Sequence, residues 1–494
     1  MPPIGRLFDR SLALLTDLYE LTMAYGYWKL GRDRLNAVFH LSFRNHPFEG
    51  GFTLAAGLEE VIHFLSDLHF AEDDLRYLST LSADDGTPLF DAGFLGYLAE
   101  LKFSCDVDAV PEGTIVFPHE PLVRITGPIL QGQLIEAPLL NLINFQTLVA
   151  TKAARVCQAA RGEPVLEFGL RRAQGIDGAV SASRAAFIGG CAATSNALAG
   201  KLFNIPVRGT HAHSWVMSFD TELEAFDAYA GAMPNNCVFL VDTYDTLQGV
   251  HHAVQIGRKL RAAGHRLLGI RLDSGDLAYL SIEARKILDE AGFTDAAILA
   301  TNDLDEQIIE SLKIQGARIA VWGVGTRLAT AYDQPALGGV YKLSALADAN
   351  GKWHHKLKLS EQTAKISVPG VLQVRRFIDR KRFIADAIFD QLGPIPSGTW
   401  TIIDPVDPMR QKSIPAKSAS QDLLIPIFRA GRRVYDPPAL IETQNFARQQ
   451  LSSFHEGIRR RLNPHAYPVG LEKSLSELRT QLVLQTRAAN QPAT

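Results

Sequence analysis

Apolar residues recur with two different periods in the first part of the chain. In residues 14–30, "LLTDLYELTMAYGYWKL", they are spaced as on one face of a helix, and Asp17 with Glu20 three positions later is typical of a capped helix start. Residues 37–43, "AVFHLSF", alternate as in a strand. Helical spacing continues over 53–101, and short strands broken by Pro and Gly follow over 106–127. We predict an α+β domain over about 1–140.

From about residue 164 the pattern changes to short apolar runs, each followed by a polar cluster and a helix-like segment. The runs are "PVLEFG", "NIPVRG", "CVFLVD", "RLLGIRLD", "AILATND", "ARIAVWG" and "GGVYKL". Nearly continuous apolar strands that alternate with helices predict a parallel sheet covered on both faces. We therefore assign 141–345 to an α/β catalytic domain.

Six polar clusters follow these runs, where parallel strands end. They are Arg171-Arg172, Thr210 to His213, Asp242 with Asp245, Arg271 to Asp276, Thr301 to Asp303, and Gly323 to Thr326. An α/β barrel builds one active site from such loops, and a doubly wound open sheet is the alternative. Six clusters favour the barrel, because an open sheet usually uses fewer. After 345 the repetition stops, and strands followed by two amphipathic helices are predicted for 346–494.

Composition and charge restrict the class of protein. The chain has 494 residues, is 46% hydrophobic and carries a net charge of -3, so it has no bulk field for nucleic acid or an anionic membrane. Its four cysteines are far apart, which indicates neither a zinc knuckle nor a disulfide framework. The first fifteen residues do not resemble a secretory signal, and no apolar run is long enough for a membrane span. These features predict a cytoplasmic enzyme.

The stretch "GIRLDSGDL", 269–277, predicts a phosphate or metal site. Asp273 and Asp276 flank Ser274 and Gly275 directly after a buried strand. Such a turn can direct backbone N–H groups at an anion while its carboxylates face a cation, as a Mg²⁺-bound phosphate compound requires. The alternative is an ordinary polar turn.

Two further strand ends carry candidate anion-binding groups. In "WGVGTRL", Gly323, Gly325 and Thr326 lie between a strand and a helix, where backbone N–H groups can cradle phosphate, although a tight turn explains them nearly as well. The full dinucleotide fingerprint and the P-loop pattern are absent. In "EFGLRRAQG", one of Arg171 and Arg172 can bind phosphate or carboxylate, and Phe168 can stack on a flat ring. The alternative is a surface arginine pair at a strand end.

The stretch "RGTHAHSW", 208–215, places two histidines where a strand should end. A histidine there is most often a structural hydrogen-bonding group. His211 and His213 are too few ligands for zinc, and the chain has no G-x-S-x-G elbow for acyl transfer. A general base or a nucleophilic histidine remains.

Taken together, these motifs resemble those of nicotinate phosphoribosyltransferases along nearly the whole chain. The matching stretches are "LLTDLYELTMAYGYWKLG", "FRNHPFEGGFTLAAGLEE", "EFGLRRAQGIDGAVSASRAAFIGG", "GTHAHSWVMSF", "GIRLDSGDLAYLS", "ATNDLDEQII" and "GVGTRLATAYDQPALGGVYKL". The resemblance implies an irregular α/β barrel beside an α/β sandwich domain built from both chain ends. It implies a C–N-forming ligase of NAD synthesis that joins nicotinate to 5-phosphoribosyl 1-diphosphate (PRPP), coupled to ATP hydrolysis.

The resemblance also implies roles for individual residues. His213 matches the histidine that is phosphorylated in the family, whereas His211 lies at a variable position. Tyr19 and Phe168 match an aromatic pair that encloses the pyridine ring, with the tyrosine from the partner subunit of a homodimer. The other expected contacts are Arg271 with Thr210 to nicotinate, Arg171 and Thr326 to PRPP phosphates, Asp273 to ribose or Mg²⁺, Asp276 as a weaker metal ligand, and Ser214, Ser274, Gly275, Asn302, Gly323 and Gly325 to substrate.

Three alternatives remain open. A nicotinamide phosphoribosyltransferase carries an aspartate near the amide, but the corresponding stretch "AATSNALAG", 192–200, has no acid, which favours nicotinate. A type I phosphoribosyltransferase needs adjacent acids and a T-G-x-T turn, which "FLVDTYDT" lacks. An inactive family member that serves as a scaffold is opposed by the intact His213, Arg271, Asp273 and Thr326.

Overall fold

The computed structural model describes residues 11–362 and 365–489, and its contacts divide the chain into two compact units. The central unit is 149–335, and the terminal unit combines the described residues up to Leu148 with those from Ala336 onward. The sequence had suggested boundaries near 140 and 345. The first ten residues, which include part of the stretch tested for a secretory signal, lie outside the described residues.

The terminal unit contains the elements of both chain ends. Its first part has α1 (Leu18–Lys29), β1 (Asn36–Phe43), β2 (Thr53–Leu54), α2 (Leu58–Ser66), α3 (Glu72–Leu78), α4 (Ala92–Ala99), β3 (Asp106–Ala109), β4 (Ile115–Val116), β5 (Val123–Pro128), α5 (Ile129–Leu134) and the start of α6 (Glu136–Ala160). The capped start predicted for α1 is present, because the Asp17 N–H donates to Glu20 Oε2 at 3.2 Å. The helix begins at Leu18 rather than at residue 14.

The central unit alternates strands and helices. It contains β6 (Val165–Glu167), α7 (Gly175–Ile188), β7 (Ala193–Thr194), α8 (Ala197–Phe203), α9 (His213–Met217), α10 (Glu222–Ala232), β8 (Val238–Leu240), α11 (Thr246–Ala262), β9 (Gly269–Leu272), α12 (Leu277–Glu290), β10 (Ala297–Ala300), α13 (Glu306–Ile314), β11 (Val321–Val324) and α14 (Thr326–Ala329). Six strands form one parallel sheet in the order β7-β6-β11-β10-β9-β8. The predicted parallel sheet is therefore present.

The segment predicted as the strand "NIPVRG" is instead a connection between the two edges of this sheet. Val207 forms a single parallel bridge with Thr194 of β7, and the His211 ring accepts a hydrogen bond from the Leu240 N–H of β8 at 3.3 Å. Pro206 lacks an N–H, which limits any longer ladder here. Among the described residues, no backbone ladder joins β7 to β8.

The rest of the terminal unit is mostly β. It contains β12 (Gly339–Ala347), β13 (Trp353–His355), β14 (Leu372–Asp379), β15 (Arg382–Asp390), β16 (Trp400–Ile403), β17 (Gln411–Ile414), β18 (Ala419–Asp422), β19 (Ile425–Arg429), β20 (Arg432–Arg433), α15 (Leu440–Ser452), α16 (Glu456–Arg459), β21 (Val469–Glu472) and α17 (Lys473–Ala489). One sheet has the order β13-β12-β1-β5-β3-β19-β20, a second has β17-β16-β21-β15-β14-β18, and β2 pairs with β4.

The run "GGVYKL" was predicted as a strand of the parallel repeat, and that prediction was wrong. It begins β12, which pairs antiparallel with β1 in the terminal unit. In this position β12 has both buried and partly exposed residues. In the described residues, no helix has both the length and the apolarity needed to cross a membrane.

A buried ion pair joins two neighbouring strands of the second sheet, β14 and β15. Arg376 of β14 lies opposite Asp386 of β15, and both side chains are fully buried. Arg376 also donates to the Ile115 carbonyl at 2.8 Å, while the Tyr467 hydroxyl donates to Asp386 at 2.9 Å. These extra hydrogen bonds help to offset the cost of removing both charges from water.

We expect Arg376→Ala to lower the free energy of unfolding by about 3–5 kcal/mol, because it leaves the Asp386 carboxylate buried without its cation. The control is Arg410→Ala, since the Arg410 and Asp407 side chains are 72% and 49% exposed and such a pair contributes less than about 1 kcal/mol. The free energies of unfolding of both variants are measured by chemical denaturation, which far-ultraviolet circular dichroism monitors. Equal losses in the two variants would contradict the assigned role of the buried pair.

Candidate active site

The carboxyl ends of the parallel strands bring several of the predicted residues together. Arg271 and Leu272 end β9, and Asp273 follows directly, so the arginine and the aspartate side chains project from neighbouring positions of one strand end. Arg271 Nη2 lies 4.0 Å from Asp273 Oδ2. His213 Nε2 lies 3.6 Å from the same carboxylate oxygen. A cation, an anion and an imidazole are thus clustered at this edge of the sheet.

The Arg271 guanidinium is held in place by the segment before α9. Its Nη1 donates to the Thr210 hydroxyl and, at 3.2 Å, to the His211 carbonyl. Its side chain is only 13% exposed, and its Nε is buried with no hydrogen-bond partner among the described residues. Burial lowers the pKa of Arg271, and Asp273 and Asp242 oppose that shift. An arginine with an unused N–H is suited to bind an anionic ligand.

Asp273 is oriented by contacts on two sides. Its Oδ1 accepts a hydrogen bond from the Thr301 hydroxyl, which follows β10. Its backbone N–H donates to Asp242 Oδ2 at 2.8 Å, and the Ser274 hydroxyl donates to the same oxygen at 2.6 Å. The other Asp242 oxygen is buried without a hydrogen-bond partner among the described residues. Asp242 therefore fixes the turn after β9.

His213 is the first residue of α9, and its side chain is 39% exposed. Its Nδ1 lies 3.1 Å from the Thr243 hydroxyl, in the loop after β8. This contact orients the ring while leaving Nε2 on the side of Asp273. The imidazole is therefore both positioned and accessible, as general-base or nucleophilic chemistry requires.

His211 has a structural role, in contrast to His213. Only 7% of the residue is exposed, and its ring packs against Phe226, Tyr229 and Phe239. Burial lowers its pKa to about 4. Because Nε2 accepts the Leu240 N–H, the ring is neutral with its proton on Nδ1, 3.4 Å from the Ala212 carbonyl.

The carboxylate predicted as a second metal ligand is used as a helix cap. Asp276 Oδ1 accepts the Tyr279 N–H at 3.0 Å and begins α12. Ser274 and Gly275 are exposed in the turn before it, and Gly275 has the positive φ of 78° that the turn requires. Among the described residues, no group of three or more His, Cys, Asp or Glu side chains is arranged to hold a metal ion.

The two glycines after β11 allow close packing against Phe168. A Cβ on Gly323 would lie 2.5 Å from the Thr301 methyl carbon and 2.9 Å from the Phe168 ring. A Cβ on Gly325 would lie 3.0 Å from the Phe168 carbonyl oxygen. Packing alone therefore explains why these positions lack side chains. Phe168 itself is partly exposed after β6.

The remaining predicted residues are accounted for individually. Arg171 is exposed in a short 3-10 turn and is close enough to Arg271 to lower its pKa. Asn302 is exposed with a positive φ of 97°, and Thr326 begins α14. Ser214 is exposed on α9. Tyr19 belongs to the terminal unit, on α1, and is 47% exposed.

Three residues that support the site were given no individual role from the sequence, although Asp242 had been placed in one of the six polar clusters. Asp242 and Thr243 orient Asp273 and His213, and their position after a predicted strand was the available signal. Glu167, at the end of β6, is buried, accepts the Gly169 N–H, and accepts from the Ser183 and Thr194 hydroxyls at 2.9 and 2.6 Å. Nothing in the local pattern distinguishes such a carboxylate from an exposed one.

The terminal unit contains a separate small basic cavity of about 60 Å³. Arg44, His119, Lys342 and Lys365 contribute to its lining. Burial lowers the pKa of Lys342, and the nearby Glu136 opposes the shift. The cavity gathers local positive charge in a protein whose net charge is -3.

Two protein-family models match the two parts of the chain that form the terminal unit. A model of the nicotinate phosphoribosyltransferase N-terminal domain matches residues 14–144, and one of the C-terminal domain matches 372–479. The nicotinate phosphoribosyltransferase of Bacillus subtilis is 43% identical over 487 residues, which cover 97% of each chain. The chain belongs to the nicotinate phosphoribosyltransferase family. The Dictyostelium discoideum nicotinate phosphoribosyltransferase is 39% identical over 94% of this chain and 86% of its own.

Solved structures show the same relationship. The crystal structure of human nicotinic acid phosphoribosyltransferase has a TM-score of 0.83 and 32% identity, and the match covers 94% of this chain and 99% of that one. Membership of the nicotinate phosphoribosyltransferase family therefore rests on sequence and on fold over nearly the full length.

The buried His211 predicts a specific pH dependence of stability. An unfolded histidine titrates near the ordinary pKa of 6.5, whereas His211 titrates at about 4. Between these values the unfolded chain binds more protons than the folded protein. The contribution of His211 to stability is therefore complete above pH 6.5 and is lost progressively as the pH falls toward 4.

We expect His211→Gln, which keeps a side-chain acceptor but cannot titrate, to be less acid-sensitive than the original protein. The drop in the free energy of unfolding between pH 7 and pH 5 should shrink by up to about 2 kcal/mol. Urea denaturation at the two pH values measures the free energy of unfolding, and the exposed His251→Gln is the control. An unchanged pH dependence in His211→Gln would show that His211 does not stay neutral in the folded protein.

Proposed function

We propose that this protein joins nicotinate to PRPP, giving nicotinate mononucleotide and diphosphate, with ATP hydrolysis coupled through phosphorylation of His213. The observation that carries the proposal is the cluster of Arg271, Asp273 and His213 at one edge of the parallel sheet. Family membership supports the same reaction, since the relatives are named for it. The product places the enzyme at the entry of nicotinate into NAD synthesis.

Arg271 is the group we assign to the nicotinate carboxylate. It is fixed by Thr210 and retains a buried Nε–H without a partner among the described residues. A carboxylate can accept from a guanidinium at two oxygens, whereas the amide of nicotinamide offers one acceptor and places an NH₂ donor against another donor. This difference favours nicotinate over the alternative substrate nicotinamide.

Phe168 and Tyr19 are assigned to the two faces of the pyridine ring, with Tyr19 supplied by a second copy of the chain in a homodimer. Phe168 is held by the close packing of Gly323 and Gly325. Tyr19 is exposed on α1 and therefore available to another subunit. A ring enclosed on both faces would present its nitrogen to C1 of the ribose in a fixed direction.

The transfer itself breaks one bond and forms another at the ribose. The pyridine nitrogen attacks C1, and the bond from C1 to the diphosphate oxygen breaks with the electron pair leaving on diphosphate. The Asp273 carboxylate faces the developing positive charge on the sugar, and Arg171 with Thr326 holds phosphate groups. Ser214, Ser274, Gly275 and Asn302 complete the expected substrate contacts.

A magnesium ion fits the carboxylates that are present. Mg²⁺ usually takes only one or two protein carboxylates together with water and substrate phosphates. Asp273 would hold the ion together with Asp242, whose Oδ1 is buried without a hydrogen-bond partner among the described residues, while Asp276 is used as a helix cap. When bound, the ion would supply positive charge for the diphosphate leaving group.

His213 would act as a nucleophile toward ATP. An unprotonated ring nitrogen attacks the terminal phosphorus, the bond to the ADP oxygen breaks, and ADP leaves; water later hydrolyses the N–P bond and releases phosphate. Thr243 holds Nδ1 and so fixes the ring plane during both steps. The energy of the N–P bond would drive the condensation forward.

The proposal also includes the architecture of the two units and the location of the protein in the cell. The segment that touches both β7 and β8 supports an irregular barrel, because Val207 and His211 join the two edges of the sheet. Both chain ends build the terminal unit, as expected for the sandwich domain. None of the four cysteines, all of which lie in the described part of the chain, forms a disulfide bond, which supports a reducing, cytoplasmic location.

Substrate choice is tested by measuring mononucleotide formation with Mg²⁺ and PRPP, with nicotinate or nicotinamide, each with and without ATP. We expect product from nicotinate that ATP increases, and at least about tenfold less from nicotinamide, because Arg271 loses its charged partner. Product mainly from nicotinamide would refute the assignment of Arg271. No product from either would favour the inactive scaffold.

Phosphorylation is tested with γ-³²P-ATP and His213→Ala. We expect the original protein to acquire acid-labile label and the variant to acquire none, while a weak condensation independent of ATP persists. The exposed His251→Ala is the matched control and should be labelled normally. Acid-labile label that persisted on His213→Ala would assign the phosphoryl acceptor to another residue.

A further inference from the structure

A cavity of the terminal unit lies outside the candidate active-site residues described above. Its volume is about 320 Å³, enough for a small organic molecule. It is bounded by α2, by the turn between β3 and β4, and by the chain from Tyr435 into α15. None of the residues proposed to bind nicotinate, PRPP or ATP contributes to its lining.

The walls of this cavity are apolar and stiff. Leu58 and Ile62 of α2 are buried on one side, and Tyr435 and Phe446 supply partly buried rings on the other. The remaining apolar lining comes from three prolines, Pro111, Pro437 and Pro438, whose backbone φ is fixed. Such a wall pays little conformational entropy when a ligand is ordered against it.

Close packing shows that the cavity is a built feature. Gly113, with φ of 86°, brings the turn against α15, where a Cβ would lie 3.0 Å from the Thr443 carbonyl oxygen and 3.1 Å from the Phe446 ring. The same turn reaches α2, because Glu112 Oε1 accepts the Gly57 N–H at 2.5 Å. Three elements are thus held at fixed separations around the space.

The polar lining is acidic. Glu59, Glu112 and Glu442 contribute carboxylates, and no Lys, Arg or His is among the described residues that line the cavity. His63, which does not line it, lies 3.9 Å from Glu59 Oε1. Glu112 and Glu442 each use an oxygen at a helix start, where Glu442 Oε2 accepts the Ala439 N–H at 3.1 Å. Burial raises the pKa of the Tyr435 phenol, and the nearby carboxylates of Glu112 and Glu59 raise it further.

We propose that this cavity is a binding site for a small organic cation that carries an aromatic or branched apolar body. The apolar part fits among the rings and prolines, and the ammonium or similar group is attracted by Glu59, Glu112 and Glu442. An anion is excluded, because the carboxylates repel it and no basic lining side chain compensates.

The test uses three probes of similar shape, namely phenethylammonium, 2-phenylethanol and phenylacetate, with affinities measured by ligand-observed NMR or calorimetry. We expect the cation to bind about fivefold more tightly than the neutral alcohol, at the upper end of what an exposed ion pair supplies. Phenylacetate should bind more weakly than either. Equal affinities for the three probes would reduce the cavity to an unspecific apolar crevice and overturn the proposal.

Two charge-reversal variants test whether the probes bind in this cavity. Glu442 is exposed, and Glu442→Arg loses one capping hydrogen bond at the start of α15, a cost small enough to leave the protein folded. The variant should lose the preference for phenethylammonium and bind phenylacetate more tightly than the original protein does. Glu456→Arg, an exposed glutamate at the start of α16 that does not line the cavity, is the matched control and should leave all three affinities unchanged. A cation preference that survived Glu442→Arg would place binding elsewhere and refute the site.

Discussion

The side chain of Asp242 determines the geometry of the candidate active site. One of its oxygens accepts both the Asp273 N–H and the Ser274 hydroxyl, so the loop after β8 and the turn after β9 are joined at a single atom. Asp273 in turn lies between Arg271 and His213. Because a carboxylate hydrogen bond to a backbone N–H is stronger than a neutral one, this link holds the Asp273 carboxylate at fixed separations from the Arg271 guanidinium and the His213 ring. The chemistry proposed here depends on those separations.

The sequence predicted the parallel sheet well because fully buried strands and their polar ends leave a local signature. β6, β8, β9, β10 and β11 all fall within the apolar runs, and Arg271, Asp273 and His213 meet at their carboxyl ends as expected. Local sequence patterns do not show which strands pair with each other. The strand that begins "GGVYKL" has the same composition as the others, yet it pairs with β1 more than 290 residues away in sequence. Such pairing depends on tertiary packing that a short window does not contain.

The same limit applies within the site. The sequence does not show whether a polar residue at a strand end contacts a ligand, caps a helix or supports a neighbouring side chain. Asp273 and Asp276 are three positions apart in one turn, but the first faces the cluster and the second begins α12. Likewise, His213 is accessible and His211 is buried among aromatic rings, although both belong to one short motif. Burial and hydrogen-bond partners, which only the fold supplies, separate these roles.

The hydrogen bond from Leu240 to His211 also has a consequence for solubility. β8 is an edge strand of the parallel sheet, and an unpaired edge invites strand addition from another molecule. The imidazole satisfies a backbone N–H on that edge with a side chain, so one position at which an intruding strand would bond is already taken. A residue adjacent to the catalytic segment thereby protects the sheet from intermolecular β-pairing. Acidification that charges this ring would remove the acceptor and leave the edge open to aggregation.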